Sequence, residues 1–287
     1  MNITQTVFFD PRGHAASLLN SQRRPLIPAI LNPMLVPQFA DVKAIYFDLD
    51  DTLCTYWDAA KAGLRKAFED HPEHGQTPER LLQEWAIAFT GFVETIGKTH
   101  WYDKYCESGE ITRVELMRRM LERVNIFDDE LAYRISHTYH VERQAALELF
   151  PEALEVIQQL SSVYTLGLIT NGPADIQRQE IQKLNIGNYF PHIFIEGEHK
   201  IGKPDERIFR MAEAAVSLPP ENLLFVGNSY KHDIKPAQTY GWQTAWIRRD
   251  SDVAPSSRTG KPEELPEGAT PPDLTIFNLQ ELLSESV

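Results

Sequence analysis

The sequence predicts an α/β fold, a doubly wound and mainly parallel sheet that is interrupted by an all-helical insertion. The first observation is that short apolar runs alternate with amphipathic helical patterns, as in parallel sheets with crossover helices. The second is that this alternation stops between residues 57 and 147, where only helical periodicity is found. The chain has 287 residues, which is long enough for a large core with an added domain.

Six short apolar runs indicate buried strands, and several of them end in polar residues. They are KAIYFD (43–48), YTLGLIT (164–170), HIFIEG (192–197), NLLFVGN (222–228), WQTAWI (242–247) and DLTIF (273–277). Helical patterns separate the later runs, because apolar residues recur at intervals of three and four. Three of these patterns are PEALEVIQQL (151–160), PADIQRQEIQKL (173–184) and DERIFRMAEAAV (205–216).

The simplest domain organisation is an α/β core with a helical, cap-like domain inserted after its first strand. We assign residues 57–147 to the cap, and residues 42–56 with 148–287 to the core. Residues 1–41 contain several prolines and no sustained periodicity, so they are predicted to form an N-terminal extension. Residues 249–272 are rich in Pro, Ser and Gly, which is typical of a surface loop.

Composition excludes several classes of protein. A formal net charge of −13 disfavours a nucleic acid polymer as partner. No apolar run is long enough for a transmembrane helix, and the first residues lack the pattern of a secretory signal. Cys54 and Cys106 do not form a disulfide framework, and the histidines show no zinc-ligand spacing. We therefore expect a cytoplasmic protein, monomeric or homodimeric, with no membrane partner.

The strongest chemical signal is the acid pair in Asp48-Leu49-Asp50, directly after the first predicted strand. A carboxylate becomes an effective nucleophile when it is held in line with its target and its charge is balanced by a metal. Asp48 is thus the candidate nucleophile toward phosphorus. Asp50 is the candidate general acid and base, since it is close enough to protonate a leaving oxygen and then activate water.

Three weaker signals follow later strands and should converge on the acid pair, because the carboxyl ends of parallel strands share one edge of the sheet. Thr170 and Asn171, before Gly172, are candidate phosphate ligands. Lys203 lies at a helix start and could neutralise the nucleophile and the phosphoryl group. The metal-ligand candidates are Asp48, Asp50, Asn228 and Asp233, whose hard oxygen donors suit Mg²⁺.

The order of these four motifs resembles that of the haloacid dehalogenase-like hydrolase superfamily over roughly residues 43–248. The resemblance implies a Rossmann-like core, a helical cap between the first and second motifs, a Mg²⁺ cofactor and an aspartyl-phosphate intermediate. It matches Asp48 with the nucleophile and Asp50 with the acid/base. One position departs from the pattern: the fourth motif commonly begins Gly-Asp, whereas this chain has Gly227-Asn228.

The predicted activity is therefore that of a Mg²⁺-dependent phosphatase, a phosphoric monoester hydrolase, acting on a small phosphate ester of the nucleotide, sugar phosphate or phosphoglycolate class. A phosphomutase would keep the same residues and stays open. A haloacid dehalogenase would use the same nucleophile on carbon, but halide leaves without a proton, so Asp50 argues against it. A non-catalytic binding module has support only from Asn228.

The aromatic residues Tyr56, Trp57 and the 100–105 segment fit either a cap core or a substrate surface.

Overall fold

A six-stranded sheet, parallel throughout, runs through the part of the chain that the computed structural model describes, residues 34–284. Each strand coincides with one of the apolar runs, so all six predicted strands are confirmed, as is the doubly wound parallel sheet. The strands are β1 (Ala44–Phe47), β2 (Thr165–Thr170), β3 (His192–Ile195), β4 (Leu223–Gly227), β5 (Gln243–Ile247) and β6 (Leu274–Ile276). Their spatial order is β3-β2-β1-β4-β5-β6. The chain changes direction across the sheet at β1, which pairs with β2 on one side and β4 on the other.

The strands are continuous apolar runs because helices cover both faces of the sheet. Ile45 and Phe47 of β1 belong to the hydrophobic core on one face. Ala44 and Tyr46 belong to the core on the opposite face. All four side chains are fully buried. The polar residues that follow β1 therefore lie at its carboxyl end, where a ligand can reach them.

Ten α-helices and a π-helix occur within residues 34–284. The helical patterns located most of them. They did not locate the short helices α3 and α10, the π-helix, or the single-turn α8, where the sequence had predicted the end of a strand. The helices are α1 (Tyr56–Asp70), α2 (Pro78–Ile96), α3 (Trp101–Glu107), α4 (Gly109–Glu122), α5 (Asp129–Ala146), α6 (Ala153–Ser161), α7 (Ala174–Lys183), α8 (Glu196–His199), α9 (Glu206–Val216) and α10 (Lys235–Thr239), with the π-helix at Tyr230–Ile234.

Helices α1–α5 follow one another without a strand, and we call them the helical insertion. They have a hydrophobic core of their own, which includes Trp85, Met117 and Ile135. The closest packing is between α1 and α5, where a Cβ added to Gly63 would lie 2.8 Å from the backbone nitrogen of Arg143. A residue larger than glycine at position 63 would force these two helices apart.

Residues at the two ends of the described chain pack together. Leu35 forms an isolated bridge with Leu283, and Phe39 and Val42 are buried in the main core. Most of the predicted N-terminal extension, residues 1–33, lies outside the described residues. Within the described part of the chain, no helix has the length and apolar character needed to span a bilayer.

A pH effect on stability arises at His140 in α5. Burial and the nearby Arg113 and Arg143 lower the pKa of His140 from 6.5 to about 4. The unfolded chain therefore binds a proton at His140 more readily than the folded chain does. We expect the free energy of unfolding to decrease as the pH falls from about 6.5 toward 4, and His140→Gln to flatten this slope.

Urea denaturation of wild type and His140→Gln between these pH values measures the effect. One proton limits the difference in slope to about 1.4 kcal/mol per pH unit, and the partial exposure of the imidazole reduces it. Identical pH profiles for the two proteins would contradict this account of His140.

Candidate active site

A cavity of about 1200 Å³ lies at the carboxyl ends of the strands. One wall comes from the helical insertion, including Trp57, Phe89 and Tyr105. The floor carries the polar residues that follow β1, β2 and β4, as expected for a ligand crevice where the strand order reverses. A second wall comes from the irregular connection between β5 and β6, which we call the 249–271 segment. The sequence had suggested only a surface loop there.

Asp48 directly follows β1, and its backbone N–H continues the ladder by donating to the carbonyl of Val226 at 2.9 Å. One carboxylate oxygen accepts from Nζ of Lys203 at 2.6 Å. The other accepts from the Thr52 hydroxyl at 3.3 Å. Burial raises the pKa of Asp48 to about 6, while the Lys203 ammonium opposes that rise. Asp48 is therefore an ionised, oriented carboxylate at neutral pH.

Asp50 is presented by a tight turn after Asp48. Asp51 adopts a left-handed backbone conformation with φ 55°, which aspartate tolerates better than most residues. Its carboxylate accepts from the backbone N–H of Trp57 at 3.1 Å, which ties the turn to the start of α1. The amide of Gln177 donates to the Asp50 carboxylate at 3.1 Å. The turn and Gln177 together direct Asp50 into the cavity beside Asp48.

The electrostatic surroundings of Asp50 differ from those of Asp48. Burial, followed by the negative charges of Glu180 and Asp48, raises the pKa of Asp50 well above its usual range. Glu180 is itself fully buried and paired with Arg143, which opposes the rise at Asp50. Burial and negative neighbours raise the pKa of Asp50, whereas Asp48 is paired with the Lys203 ammonium. Such a difference between two neighbouring carboxyl groups is what a general acid and a nucleophile require.

The two residues that follow β2 have different positions. The Thr170 hydroxyl is buried and donates to the side-chain oxygen of Gln177 at 2.8 Å. Asn171 lines the cavity, but its amide holds the backbone of Lys203, donating to the carbonyl at 2.7 Å and accepting from the N–H at 2.8 Å. In this arrangement Thr170 supports Gln177 and Asn171 fixes Lys203. A phosphate-binding role for either residue stays a prediction.

Lys203 is the central cation of the site. Its ammonium lies 2.6 Å from Asp48 and 2.7 Å from Asp233, and all three side chains are at most 10% exposed. Burial opposes the charged ammonium, but the two carboxylates outweigh it and raise the pKa of Lys203. The lysine thus holds two buried carboxylates together across β1 and β4.

Replacing Lys203 by Met should leave Asp48 and Asp233 buried without their cation. We expect the free energy of unfolding to fall by about 3–5 kcal/mol, the usual cost of breaking a buried ion pair on one side. Urea denaturation at pH 7 measures it. Lys43→Met, at an exposed position, is the matched control and should change stability by less than about 0.5 kcal/mol. A change of similar size in both variants would contradict this assignment.

The residues predicted to bind Mg²⁺ are only partly brought together. Asp48, Asn228 and Asp233 converge, whereas the Asp50 carboxylate points to Gln177. Among residues 34–284, no three Asp, Glu, His or Cys side chains are close enough to hold a metal ion by themselves. A Mg²⁺ site here would need the Asn228 amide oxygen and retained waters, as is common for this ion.

The hydrogen bonds of Thr52 show that oxygen donors are available for a cation. Its hydroxyl lies 3.3 Å from the Asp48 carboxylate and 3.3 Å from the Asn228 amide oxygen. A hydroxyl has one proton, so it satisfies only one of these two oxygens at a time. The other oxygen keeps a lone pair for a cation, and the Asp48 and Asp233 carboxylates lie close by. The donor set therefore fits a hard divalent cation.

Several residues of the site had no clear signal in the sequence. Glu196, at the start of α8, accepts from Tyr102 at 3.2 Å and from Tyr105 at 3.1 Å. Burial raises the pKa of Glu196. Asp252, from the 249–271 segment, accepts from the Asn228 amide at 2.8 Å. Gln177 could have been suspected from its place one turn into the helix after Thr170-Asn171-Gly172, whereas Glu196 and Asp252 follow no periodic pattern.

The all-parallel doubly wound sheet, with polar residues gathered at its switch point, is the arrangement in which doubly wound α/β proteins bind their ligands. Residues 42–241 match the family model described as haloacid dehalogenase-like hydrolase. The chain therefore belongs to the haloacid dehalogenase-like hydrolase family, as its motifs had suggested.

Comparison with individual proteins agrees with this assignment. Phosphoserine phosphatase of Thermus thermophilus is 32% identical over 78% of this chain and 98% of its own length. Glyceraldehyde 3-phosphate phosphatase of Pyrococcus abyssi is 28% identical over 72% of this chain and 82% of its own length. The magnesium-bound crystal structure of the HAD-hydrolase YfnB of Bacillus subtilis has a TM-score of 0.62 at 20% identity. The match covers 84% of this chain and 96% of YfnB, and this similarity supports the fold assignment.

Proposed function

We propose that this hydrolase is a Mg²⁺-dependent phosphatase that cleaves a small phosphate monoester through an aspartyl-phosphate intermediate on Asp48. The observation that carries the proposal is the pairing of an ionised Asp48, held by Lys203 at 2.6 Å, with an Asp50 whose pKa is strongly raised. The similarity to proteins named phosphatases supports the same reaction class.

In the first step, a carboxylate oxygen of Asp48 attacks phosphorus and the bond from phosphorus to the ester oxygen breaks. Asp50 gives its proton to the departing oxygen, which leaves as the alcohol. In the second step, the Asp50 carboxylate takes a proton from water, and the resulting hydroxide attacks phosphorus. The bond between phosphorus and Asp48 breaks, inorganic phosphate leaves, and both residues return to their starting protonation states.

Phosphoryl transfer depends mainly on positioning and on stabilising charge at the equatorial oxygens. Lys203 already lies against Asp48 and is the chain's own cation for that purpose. Mg²⁺ held by Asp48, Asn228 and Asp233 would neutralise the phosphoryl group and the incoming carboxylate. Asp50 needs no contact with the metal in this scheme. Gln177, and not the metal, holds its carboxylate, so Asp50 is available for proton transfer.

The leaving group would lie against the helical insertion, which acts as a cap over the site. Trp57, Phe89 and Tyr105 line that side of the cavity. Their rings suit a small organic group and exclude water around the reacting phosphorus. Glu196, held by two tyrosines of the insertion, would accept hydroxyl or ammonium groups of the substrate. Phosphoserine, glyceraldehyde 3-phosphate, nucleotides, sugar phosphates and phosphoglycolate are the first substrates to screen.

The direct test is hydrolysis of p-nitrophenyl phosphate by the purified chain, with saturating Mg²⁺ and with EDTA. We expect turnover that requires the metal, and a metabolite-phosphate screen would then identify the preferred ester. Release of halide from a 2-haloacid, without phosphate release from any ester, would instead support the dehalogenase alternative. Phosphate release that is unaffected by EDTA would contradict the metal requirement.

A further inference from the structure

The 249–271 segment is tied to the loop after β4 at separate points. Asp252 accepts from the side-chain amide of Asn228 at 2.8 Å. Glu263 accepts from the backbone N–H of Tyr230 at 2.8 Å. The hydroxyl of Tyr230 in turn donates to the carbonyl of Thr270 at 2.8 Å. The segment therefore forms part of the site.

The contact between Asp252 and Asn228 determines which way the amide of Asn228 faces. The Asp252 oxygen in this contact is an acceptor and the Asn228 nitrogen is the donor, so Asp252 holds the NH₂ end of the amide. The amide oxygen must then face the opposite side, where it lies 3.3 Å from the Thr52 hydroxyl that also contacts Asp48. A reversed amide would place two oxygens against each other at Asp252 and would direct an NH₂ group toward the cation site.

The same contact accounts for the amide at position 228. Asp252 is a carboxylate that lines the cavity. A second carboxylate at 228 would lie about 3 Å from it, with strong mutual repulsion. An amide at 228 avoids the repulsion, and Asp252 supplies the negative charge that the amide lacks.

We propose that Asp252 is a positioning residue of the Mg²⁺ site: it orients the Asn228 amide oxygen toward Asp48 and restores the negative charge missing from the fourth motif. The inference rests on the proposed function, since it concerns the metal of that site. Partners that orient a metal ligand from outside commonly change metal affinity by about 10- to 100-fold.

The test is direct metal binding, by calorimetric titration with Mg²⁺ and by the electron paramagnetic resonance signal of added Mn²⁺. We expect Asp252→Asn to weaken binding of both ions by about 10-fold. The matched control is Asp250→Asn, which removes the same charge at an exposed position two residues away and should bind like wild type. Thermal denaturation of each variant establishes that it is folded.

The exchanged pair Asn228→Asp/Asp252→Asn tests whether positions 228 and 252 must together hold one amide and one carboxylate. The amide and the carboxylate change places, the hydrogen bond between them is kept, and the site regains its charge. We expect this double variant to recover most of the affinity lost in Asp252→Asn. Wild-type affinity in Asp252→Asn, or a double variant that binds no better than Asp252→Asn, would overturn the inference while leaving the proposed function intact. No metal binding by wild type would overturn the proposed function and this inference together.

Discussion

Asp48→Asn is expected to lower kcat/KM for p-nitrophenyl phosphate by at least about 10⁴-fold, the largest effect of any single substitution in this chain. The amide has no charge and little nucleophilicity, yet it keeps the shape of the side chain. Because Asp48 also faces Lys203 and the cation site, both the attack and the charge balance are lost. The assay is steady-state release of p-nitrophenol with saturating Mg²⁺.

A matched control makes this result specific. Asp70→Asn removes one carboxylate from the exposed end of α1, where Asp70 forms an ion pair with Lys66. It should retain wild-type kcat/KM. Substantial turnover in Asp48→Asn, confirmed by inhibition with EDTA so that it belongs to this site, would refute the assignment of the nucleophile.

Asp50→Asn should produce a loss that depends on the leaving group. For an alkyl phosphate, kcat/KM should fall by about 10²- to 10⁴-fold, because the departing alkoxide then receives no proton. For p-nitrophenyl phosphate, kcat/KM should fall much less, because p-nitrophenolate is stable without protonation. The second step needs Asp50 as a base in both cases, so p-nitrophenol should appear in a rapid burst followed by slow turnover.

The comparison of the two substrates is its own control, since any general distortion of the site would affect both. Rapid-mixing measurements of the burst and steady-state kcat/KM values separate the two steps. Equal losses for the two leaving groups, with no burst, would show that Asp50 does not act as the general acid.

The sequence predicted the α/β core well because its signals were local. Each strand of the sheet is an apolar run bounded by polar or turn residues. Because both faces of the sheet are buried, apolar and polar residues do not alternate along a strand, and the run itself identifies the strand. The acid pair Asp48 and Asp50 had a similarly local signal. By contrast, the short helix α3 (Trp101–Glu107) lies in an aromatic and charged stretch without enough turns to show a period.

The parts of the site that escaped prediction depend on contacts between distant residues. Asp252 lies in a Pro- and Gly-rich stretch, and its contact with Asn228 spans 24 positions in the chain. Gln177 connects Thr170, Asp50 and Glu180 through a single amide group. The position of Gln177 one turn into the helix after β2 places it near the site, but its three contacts follow only from packing of that helix against the turn after β1.

Gln177 also links the helical insertion to the acid residue. Arg143, from α5 of the insertion, is buried against Glu180 of the core helix α7. Glu180 contacts Gln177, which in turn contacts Asp50. A buried pair of this kind is costly to separate, so it should hold the helical insertion against the core beside the proposed acid, Asp50.

The most direct test of the account is to trap the phosphorylated carboxylate. Asp50→Asn, in which the second step is slowed, is mixed with p-nitrophenyl phosphate and Mg²⁺, quenched, and treated with borohydride, which reduces an aspartyl phosphate to homoserine. Peptide mass spectrometry then locates the modified residue. We predict homoserine at position 48, only when substrate is present, and none in Asp48→Asn/Asp50→Asn. Homoserine at another position, or an unmodified Asp48 in protein that has shown its burst, would contradict the account.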